Sequence, residues 1–187
     1  MLHGELVTLR PMERADIPRL WEFAQDLEVG LATGTDGRPT PLAVVEQIYE
    51  QRYSHVLEGA INFGVEAHGL LIGGIEFRNV NWLNRTAEII LFIGDPAYRR
   101  HGAGTDALRV AANYAFKLLG FNRLTYTVPE DNAGAVSAYT RVGFQQEGVL
   151  REAHYRDGRY LNLLVFGLIR AEWQDASPLT QLTAPAR

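Results

Sequence analysis

The stretch GDPAYRRHGAGTDA, Gly94–Ala107, sets two arginines and then two glycines, Gly102 and Gly104, between an apolar strand-like run and a helix-like run. Glycines at a strand-to-helix turn let a ligand approach the backbone closely. The first amides of the following helix favour an anion, so the turn reads as a phosphate site. Several nucleotide sites are built this way. A Walker loop needs a lysine after its second glycine, and the only lysine in the chain is Lys117. A dinucleotide fingerprint is a closer rival, because GAGTDA matches Gly-x-Gly-x-x-Ala and Glu130 lies near the end of the next strand. Yet this turn sits mid-chain after an antiparallel meander. Too few strand–helix–strand units follow it for a doubly wound sheet.

Bulk composition narrows the classes further. The chain has 187 residues, 47% hydrophobic and 21% charged, enough for one domain with a full core. No cysteine is present, which removes disulfides, thiolate metal sites and a cysteine nucleophile. The formal charge of -4 argues against a nucleic-acid binder and suits a cationic substrate. His3, His55, His68, His101 and His154 are scattered without metal-ligand spacing, so no metal is expected. The opening MLHGELVTLRPMERAD has no basic segment followed by an apolar one, and no run is long enough to span a membrane. The expected compartment is the cytoplasm, without membrane attachment.

Around the turn the chain reads as alternating elements. Glu5–Met12 alternates as a strand, and a helix follows with Asp16 as N-cap and Pro18 in its first turn. Val29–Pro41 is turn-rich and reads as a mobile loop, and a helical pattern begins at Leu42. A three-strand meander comes next, INFGVEA, LLIGGIEFRNV and TAEIILFIG. In its third strand Ala87, Ile89, Leu91 and Ile93 share one face, while Glu88, Ile90 and Phe92 share the other. The helix after the glycine turn puts Leu108, Ala111, Ala115 and Leu118 on its apolar face and stops at Gly120. NRLTYTV is a strand and EDNAGAVSAYTRVG a short helix, and two long strands then meet at an Asp157-Gly158 turn.

Four features in order, Arg99-x-x-Gly102-x-Gly104, Asn132, Tyr139 and the RVGF that follows, resemble the GNAT superfamily of acyl-CoA N-acyltransferases. The opening LVTLRPMERAD and the closing GVLREAHYRDGRY resemble the branch holding ribosomal-protein N-terminal and spermidine acetyltransferases. The resemblance runs from about Glu5 to Trp173. It implies one acyltransferase domain over residues 1–175; the tail over 176–187 lacks a periodic apolar pattern and is expected to be frayed. The implied fold is mixed α/β, a mostly antiparallel sheet flanked by helices, with a splayed central parallel strand pair.

The resemblance also implies the site. Acetyl-CoA would lay its pyrophosphate on the amides of His101, Gly102, Ala103, Gly104 and Thr105, with charge from Arg99 and Arg100. The pantetheine arm would pair with Phe92 and Ile93, facing a splayed Tyr126–Val128, and hydrogen-bond Asn132. Tyr139 matches the general acid that protonates the departing thiolate. Some members carry a carboxylate base on the strand where this chain has Thr127. Others place a glutamate at the offset of Glu88, fourteen residues before Gly102 and flanked here by Ile90 and Phe92, so Glu88 is the expected base, with a water relay or no dedicated base as the alternatives. Trp82, Tyr155, Arg156 and the Val29–Pro41 loop are candidates for the acceptor pocket. The branch favours a protein N-terminal amine as acceptor. A polyamine, an antibiotic amine or a non-catalytic acyl-CoA sensor are the alternatives, and a homodimer is the family's common assembly.

Overall fold

The computed structural model describes residues 1–33 and 39–174. Eight strands form one sheet: β1 (Leu2–His3), β2 (Thr8–Arg10), β3 (Ile61–Ala67), β4 (Leu70–Asn81), β5 (Thr86–Ile93), β6 (Arg123–Pro129), β7 (Gln145–Arg156) and β8 (Arg159–Ile169). Their order is β1-β2-β3-β4-β5-β6-β8-β7. Every neighbouring pair is antiparallel except β5–β6, so the expected mixed, mostly antiparallel sheet is what forms.

Two layers of helix cover the sheet. On one face lie α4 (Ala103–Asn113) and α5 (Ala133–Val142). Ala107, Leu108 and Ala111 of α4 are fully buried against Ile72, Phe77 and Ile89. On the other face α1 (Ile17–Ala24), α2 (Leu27–Thr33) and α3 (Leu42–Arg52) enclose a second cluster of Ile17, Phe23, Val29, Val45 and Tyr49 around Leu71. Among the described residues no helix is long and apolar enough to cross a membrane.

Four local outcomes differ from the sequence pattern, each for a physical reason. The expected strand Glu5–Met12 shrinks to Thr8–Arg10 because the buried Asp106 carboxylate takes the amides of Glu5, Leu6 and Val7 at 3.2, 2.7 and 3.0 Å. Asp16 stands at the N-cap of α1 but does not cap it. Its carboxylate instead accepts from the Glu13 amide and both terminal nitrogens of Arg10. Part of the expected loop Val29–Pro41 is helical, since Asp26 caps α2 by accepting from the Glu28 amide at 2.8 Å; residues 34–38 of that loop, like the tail from Asp175, lie outside the described residues. Finally, α4 runs on into a π turn over Tyr114–Leu118. The wider turn rotates the helix face, so Ala115 and Phe116 stay buried while Leu118, expected inside, is 63% exposed.

The site is made by an interruption of the sheet. β5 and β6 pair only at Thr86–Arg123, Ala87–Leu124 and Glu88–Thr125. Beyond that point β5 follows β4, as far as Ile93 opposite Gly73, while β6 follows β8, as far as Pro129 opposite Leu163. The two strands diverge, as the sequence reading expected, and α5 lies over the opening.

Candidate active site

A cleft of about 730 Å³ opens where β5 and β6 part. One wall is Leu91, Phe92 and Ile93 of β5. The opposite wall is α5, which besides Tyr139 and Arg141 turns small residues toward the space: Gly134, Ala135, Ser137 and Ala138. Spacing of three and four puts these on one helical face, leaving room for an extended chain. The end wall is the turn before α4, and the floor is Tyr139.

The turn works through its backbone. Arg100 (φ 64°) and Gly102 (φ 91°) both take left-handed conformations, which swing the chain sharply into α4. The first hydrogen bond of the helix is Asp106 N–H to Gly102 C=O at 3.0 Å, so the amides of Ala103, Gly104 and Thr105 have no acceptor within the helix. Gly102, Gly104 and Thr105 line the cleft. A Cβ on Gly104 would stand 3.3 Å from Leu91 Cδ2, at the junction between the turn and the β5 wall. Ala103 contributes only its amide, since its methyl group is buried in the core. His101 is exposed and is not part of the cleft lining.

Charge is distributed differently from the sequence expectation. Arg99 borders the cleft, but its guanidinium is fully engaged. Nε donates to Ile93 C=O at 3.0 Å, and the terminal nitrogens reach Gly94 C=O at 2.8 Å, Glu28 at 2.9 Å and Asp26 at 2.5 Å. Arg99 thus ties α2 to the end of β5 rather than offering a free charge. Ile93, expected with Phe92 to pair with the pantetheine arm, already has its carbonyl in use by Arg99; Phe92 and Leu91 line the cleft further along the strand. Arg100 remains available, and Arg141 joins it from the last turn of α5; among the described residues neither is in an ion pair. The small face of α5 and Arg141 escaped the sequence reading. Their signal is the three-to-four spacing Gly134, Ala135, Ala138, Arg141 that leads into RVGF.

The vertex of the splay is built from side chains. Tyr139 is 1% exposed, and its hydroxyl donates to the Ile89 carbonyl at 3.1 Å. Its ring stacks on Tyr126 with centroids 3.7 Å apart and planes 2° apart, and meets Phe144 edge-on at 5.0 Å. Burial pushes the Tyr139 phenol well above the ordinary tyrosine range, and burial does the same to Tyr126. Asn132 caps α5, its Oδ1 accepting from the Ala135 amide at 3.1 Å, and its side chain borders the cleft. Glu88 is not among the residues lining the cleft. Both its oxygens accept from Arg78 at 2.9 Å, with Asn79 adding a third bond at 3.0 Å. Of the acceptor candidates, Arg156 borders the cleft and pairs with Asp131, whereas Trp82 packs on Phe121 at the far end of β4. Tyr155 is exposed and packs on Tyr160 in the β7–β8 hairpin.

A splayed parallel pair, an open helix terminus at one end and a buried phenol at the other define an acyl-CoA N-acyltransferase. The family model for the acetyltransferase (GNAT) domain matches residues 7–145, and the chain belongs to that family. It is 27% identical over 159 residues to the spermidine N(1)-acetyltransferase of Escherichia coli K12, covering 84% of this chain and 83% of that protein. It is 32% identical over 159 residues to the N-alpha-acetyltransferase RimI of Mycobacterium tuberculosis, covering 81% and 86%. Its fold matches the crystal structure of spermidine N-acetyltransferase from Vibrio cholerae in complex with CoA and spermine. The TM-score is 0.81 at 24% identity, covering 90% of this chain and 98% of that one. The protein is an acetyl-CoA-dependent N-acetyltransferase.

Proposed function

We propose that the acceptor is the α-amine of a protein N-terminus. One observation carries this: among the described residues the cleft is bordered by four arginines (Arg99, Arg100, Arg141 and Arg156) and two carboxylates, Glu28 and Asp131. Both carboxylates are already paired, Glu28 with Arg99 and Asp131 with Arg156, and at the vertex Glu88 is held by Arg78. That balance suits the polyanionic CoA. A polyamine would meet repulsion and would have to break ion pairs to gain partners, whereas a lone α-amine needs no free carboxylate. Spermidine is the second reading, favoured by the acceptors named for the relatives.

The reaction is a direct transfer. The neutral amine attacks the thioester carbonyl carbon, the C–S bond breaks, and the nitrogen loses a proton as the thiolate gains one. An α-amine has a reference pKa of about 8, so a useful fraction is neutral without a dedicated base. Tyr139 turns its one hydroxyl hydrogen from the Ile89 carbonyl to the departing sulfur and regains a proton as the amine nitrogen loses one. Its phenol stays protonated across the working range, and in a water-poor site a fixed donor is worth most where charge develops. The amides of Gly104 and Thr105 with Arg100 and Arg141 take the phosphates. The free amide hydrogens of Asn132 reach the arm.

The test is thiol release from acetyl-CoA against peptides with free N-termini, the same peptides blocked at the α-amine but carrying lysine, and spermidine. The expected result is a higher kcat/KM for the free N-termini than for either other class. A higher kcat/KM for spermidine overturns the acceptor assignment and leaves the acetyltransferase in place.

A further inference from the structure

The vertex of the splay holds a second tyrosine that the chemistry above leaves without a role. Glu88–Thr125 is the last parallel pair, so Ile89 and Tyr126 are the first residues of β5 and β6 to lose each other as partners. Tyr139 fills that gap from α5 and touches both sides. Its hydroxyl takes the Ile89 carbonyl, and its ring lies flat on the ring of Tyr126.

The flat contact is informative. Aromatic rings prefer offset or edge-on contact, because a face-to-face sandwich opposes like quadrupoles. A pair 3.7 Å apart and 2° from parallel is held by its surroundings. Tyr126 is 7% exposed and fixed by its strand, which pairs with β8 from Arg123 to Pro129. Phe144 meets the Tyr139 ring edge-on, with centroids 5.0 Å apart. With the Tyr126 ring against its face, the Tyr139 ring cannot swing toward β6, and the phenol oxygen stays beside the Ile89 carbonyl. A smaller aliphatic side chain at position 126 would leave the ring free to tilt into the space vacated.

We infer that Tyr126 is a positioning residue, whose ring holds the Tyr139 hydroxyl at the point where the thiolate forms. The inference rests on the reading of Tyr139 as the proton donor. Tyr126 acts through its ring and not through its hydroxyl, and it acts on the chemical step and not on cofactor binding.

A double-mutant cycle tests this. In the wild-type background Tyr126→Leu is expected to lower kcat by about tenfold to a hundredfold, the scale of misplacing a catalytic group by an ångström. Tyr126→Phe, which keeps the ring, is expected to restore wild-type kcat. CoA affinity, measured separately by calorimetry, stays the same in both. In a Tyr139→Phe background Tyr126→Leu is expected to cost nothing more, since the hydroxyl it positions is gone. Tyr126→Met, which fills the space flexibly, serves in the same cycle if the leucine variant does not fold. Equal losses in both backgrounds overturn the proposal, as does a Tyr126→Phe loss matching that of Tyr126→Leu. If Tyr139→Phe alone keeps full kcat, it is the proton-donor reading that fails.

Discussion

The two ends of the cleft are made of opposite materials. At the Arg99–Thr105 turn the working groups are backbone amides, and the side chains matter chiefly by being absent, as at Gly102 and Gly104, or by being spent elsewhere, as with Arg99. At the vertex the working groups are side chains, Tyr139 of α5, Tyr126 of β6 and Phe144 beyond α5, packed together by long-range contacts. The turn therefore tolerates change wherever the backbone path survives. The vertex tolerates change wherever shape survives. In the proposed mechanism, binding and chemistry divide between them.

The largest effect should come at the vertex. Tyr139→Phe is expected to lower kcat by about a hundredfold with little change in the KM for acetyl-CoA, the usual worth of a positioned proton donor. In the wild type, kcat should rise as the acceptor amine loses its proton near pH 8 and then hold level to about pH 10, because burial keeps Tyr139 protonated above the ordinary phenol range. Equal loss in kcat and in cofactor affinity would erase the division of labour.

At the turn the signs reverse. Gly102→Val forces a β-branched residue into φ 91° and is expected to weaken CoA binding by about tenfold while leaving the kcat of the bound enzyme unchanged. Arg99→Ala should act on stability first, with an unfolding free energy lower by about 2 kcal/mol, because it leaves two carbonyls and the Asp26 carboxylate without their donor. Arg141→Ala should raise the acetyl-CoA KM only a few-fold, by about 1 kcal/mol or less, and less again in high salt. A large fall in melting temperature for Arg141→Ala and none for Arg99→Ala would exchange their roles. The smallest effect is expected at Glu88→Gln, below about threefold in kcat, since its carboxylate is bound to Arg78 outside the cleft lining. A loss as large as that of Tyr139→Phe would restore the base role to Glu88.

The same division explains what could be read from the chain. Gly102, Gly104 and the strand and helix around them follow from local rules, so the turn and the sheet order near it were legible. Asn132 and Tyr139 were singled out through the family resemblance, and both border the cleft. The engagement of Arg99 by Asp26 and Glu28 was not, because it joins residues more than 70 positions apart and depends on α2 forming where glycines and threonines suggested a loop. Glu88 was singled out as a base by the family's glutamate offset and its apolar neighbours on β5; its partner Arg78 lies across the β4–β5 ladder, a pairing that only the register reveals. Leu118 was misplaced because a π turn breaks the helical period that the pattern assumes. Tyr126 was read only as the start of the splayed Tyr126–Val128 stretch; its stacking on Tyr139 carried no signal in one dimension.

Asp106 offers a last use of the structure. It stands in the first turn of α4, next to the amides that face the cleft, and its carboxylate holds the amides of Glu5, Leu6 and Val7. Those three protons exchange with solvent only when the contact opens, and any ligand that steadies the start of α4 makes that opening rarer. Deuterium uptake at the N-terminal segment is thus a label-free gauge of cofactor occupancy, readable far from the chemistry and without an acceptor amine in the tube.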